Sequence, residues 1–219
     1  MSFSLYIFDA YGTLFDVHSA VARHRDLVGA QADRLSELWR TKQLEYTWTR
    51  SLMGAYRDFD ALTAEALDYA AARCGGVSTK AREKLLKAYE TLDAFADAAP
   101  ALAALRGNGA RCAILSNGTP ESLARATDSA GLSAFLDEAL SIHPLRIFKT
   151  APVAYQLVCD KYGIGPGQVS FQSSNRWDVA GATKFGFRTV WINRGGLPDE
   201  YPDLPPAIVL SSLSALPST

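Results

Sequence analysis

Cysteine is scarce in this chain. Cys74, Cys112 and Cys159 are scattered, odd in number and without CxxC spacing, so no disulfide framework is indicated and they read as reduced thiols in a cytosol, none of them catalytic. Excess charge of one sign is missing too. A formal net charge of −1 gives neither nucleic acid nor a membrane surface anything to bind, and the expected partners exclude both. No apolar run is long enough to span a bilayer, and the first one is too short for a signal peptide, so a cytoplasmic protein is expected. Internal repeats and low-complexity tracts are absent. The three histidines, His18, His24 and His143, fall in no motif and read as structural or surface groups. What remains is an ordinary globular composition, 48% hydrophobic and 21% charged over 219 residues, enough for one well-buried core with room for an inserted subdomain.

Short apolar runs alternate with helical periods in the second half of the chain. Leu5 to Phe8, Cys112 to Leu115, Ala139 to Ile142, Val169 to Phe171, Thr189 to Ile192 and Ile208 to Leu210 read as strands, with helices starting near Glu121, Val153 and Val179. That alternation predicts an α/β fold: a doubly wound parallel-sheet, Rossmann-like core. Residues 17–95 lack strand signals and are helical in period, with turns at Gly54 and at Cys74, Gly75 and Gly76. They predict a helical cap subdomain inserted into a core made of residues 1–16 and 96–219. Gly163, Gly165 and Gly167 form a loop between helix and strand rather than a nucleotide fingerprint, and Leu197 to Pro206 is a surface loop.

Polar residues gather at the carboxyl ends of the strands, where open α/β sheets bind ligands. Asp9 ends the first strand, Gly12 permits a tight turn after it, and Thr13 offers a hydroxyl to hold the carboxylate. Taken alone, this segment is equally well a turn-making Asp. Ser116, Asn117 and Gly118 follow the second strand, before Thr119 and Pro120 open a helix. Hydroxyl, amide and backbone N–H groups converge there as an anion site suited to a substrate carboxylate, although a plain Ser/Asn/Gly turn has the same composition. Lys149 lies in a loop, where lysines are usually solvated. Tyr155 lies within a helix, and Ser173, Ser174, Asn175, Trp177 and Asp178 follow the strand at Val169. In residues 32–50, Leu35, Leu38 and Trp39 mark one apolar stripe, while Arg40, Leu44 and Trp48 recur at helical spacing on a neighbouring face. An arginine so placed is an anion site or a surface residue whose stem covers apolar groups.

The segment FDAYGTLFD, Phe8 to Asp16, resembles the first motif of the haloacid dehalogenase superfamily, whose first aspartate is the nucleophile. Ser116 in SNG matches the second motif, Lys149 the third and SSNRWDVAGA, Ser173 to Ala182, the fourth. Most members are Mg-dependent phosphatases with DxD, and here Tyr11 replaces the second Asp. A phenol with a pKa of roughly 10 is a poor general acid for an alkoxide near neutral pH, whereas a halide needs no proton to leave. Ser174 falls where a Mg-binding Asp would stand, which weakens any Mg²⁺ site. Thr150 follows Lys149 where most relatives have Pro, which loosens the backbone around the ammonium.

The combination of motifs resembles the L-2-haloacid dehalogenases. The resemblance implies hydrolysis of short L-2-haloalkanoic acids to D-2-hydroxy acids with inversion, with no cofactor and no metal. Asp9 would attack C2; Arg40 and Asn117 would receive the halide; Ser116 and Lys149 would bind the carboxylate. Thr13, Ser173, Asn175 and Asp178 would orient Asp9 and the hydrolytic water, and Tyr155 would be a substrate-pocket tyrosine. Ala10, Tyr11, Leu44, Phe59 and Trp177 would enclose the substrate. Asp9 and Asp178 against Lys149 and Arg40 sum to zero charge. Two like charges about 4 Å apart repel by roughly 4 kcal/mol at an effective dielectric near 20, so two cations suit a small monoanion. A homodimer through the cap is a further expectation. The rivals are a Mg-dependent phosphatase, which would need other metal ligands, and a non-catalytic binding protein on the same fold.

Overall fold

Leu5–Phe8 forms strand β1, and all four of its apolar residues are buried, as a strand covered on both faces requires. A computed structural model describes residues 3–218. The other strands are β2 (Arg111–Ser116), β3 (Glu138–Ser141), β4 (Val169–Ser173), β5 (Arg188–Ile192) and β6 (Ile208–Leu210). They make one sheet in the order β3-β2-β1-β4-β5-β6, with every pairing parallel. The chain fills the sheet outward from β1 through β2 to β3, then returns to β4 on the other side. That reversal puts the switch point beside β1, where α/β proteins bind ligands. Phe8 stands in register with Ile114 of β2 and Gln172 of β4, so the ends of these three strands lie side by side.

Six helices separate β1 from β2: α1 (Ser19–Ala22), α2 (Arg25–Val28), α3 (Ala32–Met53), α4 (Phe59–Arg73), α5 (Thr79–Tyr89) and α6 (Ala98–Gly107). The turn signals act as expected. Gly54 closes α3 at φ 67°, and Asp58 caps α4 by accepting from the Ala61 N–H at 2.7 Å. Helices α3 and α4 pack against each other, and the Trp39 indole N–H donates to the Thr63 carbonyl at 2.8 Å. The sequence reading placed no helix at α6. Its Pro100 sits in the first turn, where its missing N–H would have no helical partner anyway. The chain leaves and re-enters the sheet layer through one pair of crossings. Asp16 N–H donates to the Asp93 carbonyl at 2.8 Å, and Phe95 N–H donates to the Leu14 carbonyl at 2.9 Å.

Between the later strands come α7 (Pro120–Ser129) after β2, α8 (Pro152–Tyr162) after β3 and α9 (Arg176–Phe185) after β4. The first two start within one residue of expectation. Helix α9 starts three residues before Val179, which places Asp178 in its first turn. Helices α8 and α9 approach closely at Gly181, where a Cβ would lie 2.5 Å from the Tyr155 hydroxyl and 2.9 Å from Thr150 Cβ. Gly181→Ala is therefore expected to lower stability by about 1–3 kcal/mol through overpacking, read as a lower Tm. An unchanged Tm would show that the two helices can separate freely.

Candidate active site

Asp9 follows β1 and is 5% exposed, and its two carboxylate oxygens are treated differently. Oδ2 accepts from Thr13 Oγ1 at 3.0 Å, from Asn175 Nδ2 at 2.7 Å and from Ser173 Oγ at 3.4 Å. Among the described residues, Oδ1 accepts only from Lys149 Nζ, at 3.1 Å. The Thr13 hydroxyl is itself fixed, accepting from the Ser174 N–H at 2.8 Å. Adjacency of β1 and β4 explains the convergence, because Thr13 comes from the turn after one strand and Ser173 to Asn175 from the end of the other. One oxygen is thus saturated with donors, and the other keeps lone pairs free.

Lys149 lies between two carboxylates, its Nζ also donating to Asp178 Oδ2 at 2.8 Å. It is 1% exposed, so the expected loosening by Thr150 does not displace the ammonium; two ion pairs hold it. Burial pulls the Lys149 pKa down, but Asp178 and Asp9 outweigh it and the net direction is up, so the ammonium stays charged. Asp178 is pushed up to about 6 by burial, with Lys149 opposing and the Asp9 charge reinforcing the rise. Tyr155 was expected at the substrate pocket. It is fully buried and donates instead to Asp178 Oδ1 at 2.8 Å, holding Asp178 from behind. It lies on α8 and is not among the residues that line the cavity at Asp9.

The end of β2 also departs from expectation in one respect. Thr119 caps α7, as Thr-Pro predicted, but the Thr119 and Ser122 hydroxyls both donate at 2.8 Å to Asp60 Oδ2 from α4. The helix terminus is therefore occupied by a carboxylate of the chain itself. Ser116 and Asn117 remain turned to the site. Asn117 Oδ1 accepts from the Lys149 N–H at 3.0 Å, and the Ser116 hydroxyl accepts from the Gly118 N–H at 3.2 Å. The His18 and His143 rings bond to Ser36 and Tyr56, away from Asp9's hydrogen-bond partners.

Arg40 reaches across from α3. Its Nη2 donates to the Tyr11 carbonyl at 3.0 Å and to Asn175 Oδ1 at 3.2 Å, and its Nη1 donates to Gln43 Oε1 at 2.9 Å. Gln43 escaped the sequence reading. It is fully buried, also accepts from the Tyr89 hydroxyl at 3.1 Å, and donates to Thr63 Oγ1 at 2.6 Å. Only its i+3 spacing from Arg40 could have signalled it. A cavity of about 10 Å³ is lined by Asp9, Tyr11, Arg40, Leu44, Phe59, Ser116, Asn117 and Trp177. Ala10 and Lys149, expected at the substrate, are not among these lining residues: Ala10 is wholly buried and Lys149 is bound to the two carboxylates. The Tyr11 ring packs on Phe59 at 5.1 Å and on Tyr89 at 5.9 Å, and burial pushes its phenol pKa upward, so it cannot serve as an acid at neutral pH.

The residues do not suit a divalent metal. Tyr11 and Ser174 are poor substitutes for carboxylate ligands, the Lys149 ammonium occupies the space between Asp9 and Asp178, and among the described residues no three His, Cys, Asp or Glu side chains are grouped to hold an ion. Nor, among the described residues, is any helix long and apolar enough to cross a membrane.

Comparison with known proteins agrees with this geometry. Residues 3–186 match the family of haloacid dehalogenase-like hydrolases. The chain is 50% identical over 211 residues to (S)-2-haloacid dehalogenase 4A of Burkholderia cepacia, covering 96% of this chain and 91% of the relative. It is 48% identical over 212 residues to (S)-2-haloacid dehalogenase 1 of Pseudomonas sp. (strain CBS-3), covering 96% and 93%. A crystal structure of a dehalogenase with intermediate complex superposes with a TM-score of 0.95 at 48% identity, covering 99% of this chain and 97% of the other. With this match in sequence and fold, and with Asp9, Lys149 and Asp178 joined at one strand edge, the chain belongs to the haloacid dehalogenase-like hydrolase family.

Proposed function

We propose that this protein hydrolyses short L-2-haloalkanoic acids to D-2-hydroxy acids, with inversion at C2, without a metal, through an ester on Asp9. The carrying observation is the unequal bonding of the Asp9 carboxylate. Oδ1, held among the described residues by Lys149 alone, attacks C2, and the carbon–halogen bond breaks with its electron pair leaving as halide toward Arg40 and Asn117. No proton is required, consistent with a site whose Tyr11 phenol stays neutral. Oδ2 then becomes the carbonyl oxygen of the ester, already surrounded by the Thr13, Asn175 and Ser173 donors. As water attacks that carbonyl carbon, these donors stabilise the charge that develops on Oδ2. Asp178 takes the proton of the water and returns it to the departing alkoxide, and the renewed Asp9 carboxyl releases its own proton to solvent. Ser116 and the free face of Asn117 hold the substrate carboxylate, with Leu44, Phe59 and Trp177 keeping bulk water out. In this reading residues 17–95 act as a cap over a core of residues 1–16 and 96–219.

The deciding assay is halide release from each enantiomer of 2-chloropropionate in EDTA. Release from the L form, with D-lactate as product, is the expected result; release from neither enantiomer, or only with added Mg²⁺, would sink the proposal.

The acid limb of the pH profile follows from Asp178. Below about 6 its carboxyl is protonated and cannot accept the water's proton, so kcat should fall roughly tenfold per pH unit below that value. Stability runs the other way. A carboxyl raised in the folded state binds its proton more tightly there than in the unfolded chain, so its contribution is fully present below the unfolded pKa and is lost as pH rises through about 6. A kcat that stays flat from pH 7 to 5 would remove Asp178 from the hydrolytic step.

A further inference from the structure

The cavity at Asp9 is narrow. Its volume of about 10 Å³ is close to the least that admits a single water, so a 2-haloalkanoate gets in only if part of the wall moves. Most of the wall is fixed. Asp9, Tyr11, Phe59, Ser116 and Asn117 are buried, and Arg40 is tied to three acceptors. Leu44 and Trp177 are half-buried, and neither side chain is held by a hydrogen bond among the described residues. Trp177 also has a second neighbour space. It forms one wall of a groove of about 570 Å³ whose lining includes Trp48, Ala180, Phe185, Leu204 and Lys184. Trp48 of α3 meets Trp177 of α9 edge-on, with ring centroids 5.4 Å apart and planes at 77°. Trp48 is 36% exposed. Lys184 is exposed and makes no ion pair among the described residues, so the groove is apolar with one available cation.

We propose that this groove is the passage by which the haloacid reaches Asp9, with the Trp48–Trp177 pair as its door, and that the alkyl tail of a longer substrate lies in it. The assignment rests on the dehalogenase reading of the site. Its physical basis is that a single ring, Trp177, separates the two spaces, and that an apolar trough with one available ammonium matches an alkyl carboxylate. Trp48 is then a specificity-determining residue although it does not line the catalytic cavity.

The test compares kcat/KM for L-2-chlorohexanoate and L-2-chloropropionate. In Trp48→Ala the ratio of the longer to the shorter substrate should rise about tenfold or more, and in Leu204→Trp, which adds bulk to the groove lining, it should fall by a similar factor. Turnover of 2-chloropropionate by Trp48→Ala should stay close to that of the unaltered protein. The proposal is overturned if both variants keep the original ratio while their Tm and 2-chloropropionate turnover are intact. If the unaltered protein releases chloride from neither substrate, the dehalogenase reading has failed instead. The passage is then judged by tryptophan emission: a shift on adding 2-chlorohexanoate that Trp48→Ala abolishes supports it, and no shift overturns it.

Discussion

Asp9→Asn should reduce halide release by at least about 10⁴-fold, the scale on which removal of a covalent nucleophile acts. An amide is nearly isosteric with the carboxylate, so the loss is chemical rather than steric. It is structural in one detail. The amide oxygen can face the Thr13 and Asn175 donors on the Oδ2 side, but its NH₂ group is then aimed at the Lys149 ammonium; reversed, it opposes Asn175 instead. Either orientation sets donor against donor, at a cost of about 1–3 kcal/mol. The variant should therefore be inactive and have a lower Tm. A single turnover in ¹⁸O-water should place label on the Asp9 carboxylate of the active protein and not in the first molecule of product. Label in that product would mean that water, not Asp9, displaces the halide.

Lys149→Met should be nearly as damaging for a different reason. The thioether matches the length of the stem but leaves two carboxylates without the cation they share. Breaking a buried ion pair by removing one partner costs about 3–5 kcal/mol. The remaining charges adjust by taking up a proton. Lys149 is what opposes the rise at Asp178, so without it the carboxyl should titrate above about 6. Activity should fall by roughly 10³-fold at neutral pH, with the residual acid limb displaced toward alkaline pH. The position of that limb separates electrostatic loss from simple misfolding, because misfolding lowers the amplitude without moving it. Full activity in the variant would show that the ammonium is only a structural tie.

The strands were legible as short continuous apolar runs: the buried Leu5–Phe8 and the half-exposed edge strand Ile208–Leu210 both fall where the sequence puts them. Asp9, Thr13, Ser173 and Asn175 were legible for the same reason: the end of a strand fixes the position of the next few residues. Helix α6 was not, since an Ala-rich segment with an early proline has no strong period. Gln43 was missed because its role depends on Thr63 and Tyr89, which are 20 and 46 residues away. The substitution of Asp60 for an external anion at α7 has the same origin. A helix terminus in sequence shows that a negative charge is wanted there, but its tertiary partner can be supplied by any carboxylate the fold delivers. The Tyr155 bond to Asp178 was not legible, because helical spacing gives the face of a residue and not its depth.

The hydrogen bonds joining Asp16 to Asp93 and Leu14 to Phe95 mean that the segment between them begins and ends at one point on the sheet layer. In topological terms the five helices α1 to α5 are a loop, however large. Evolution could lengthen, shorten or exchange them without re-registering a single strand, while Asp9, Lys149 and Asp178 stay with the invariant frame. Arg40, Leu44, Trp48 and Phe59 travel with the exchangeable part, whereas Trp177 and Leu204 stay with the sheet and its flanking segments. The Asp9, Lys149 and Asp178 cluster and one side of the wall that faces it are thus written on separable stretches of chain.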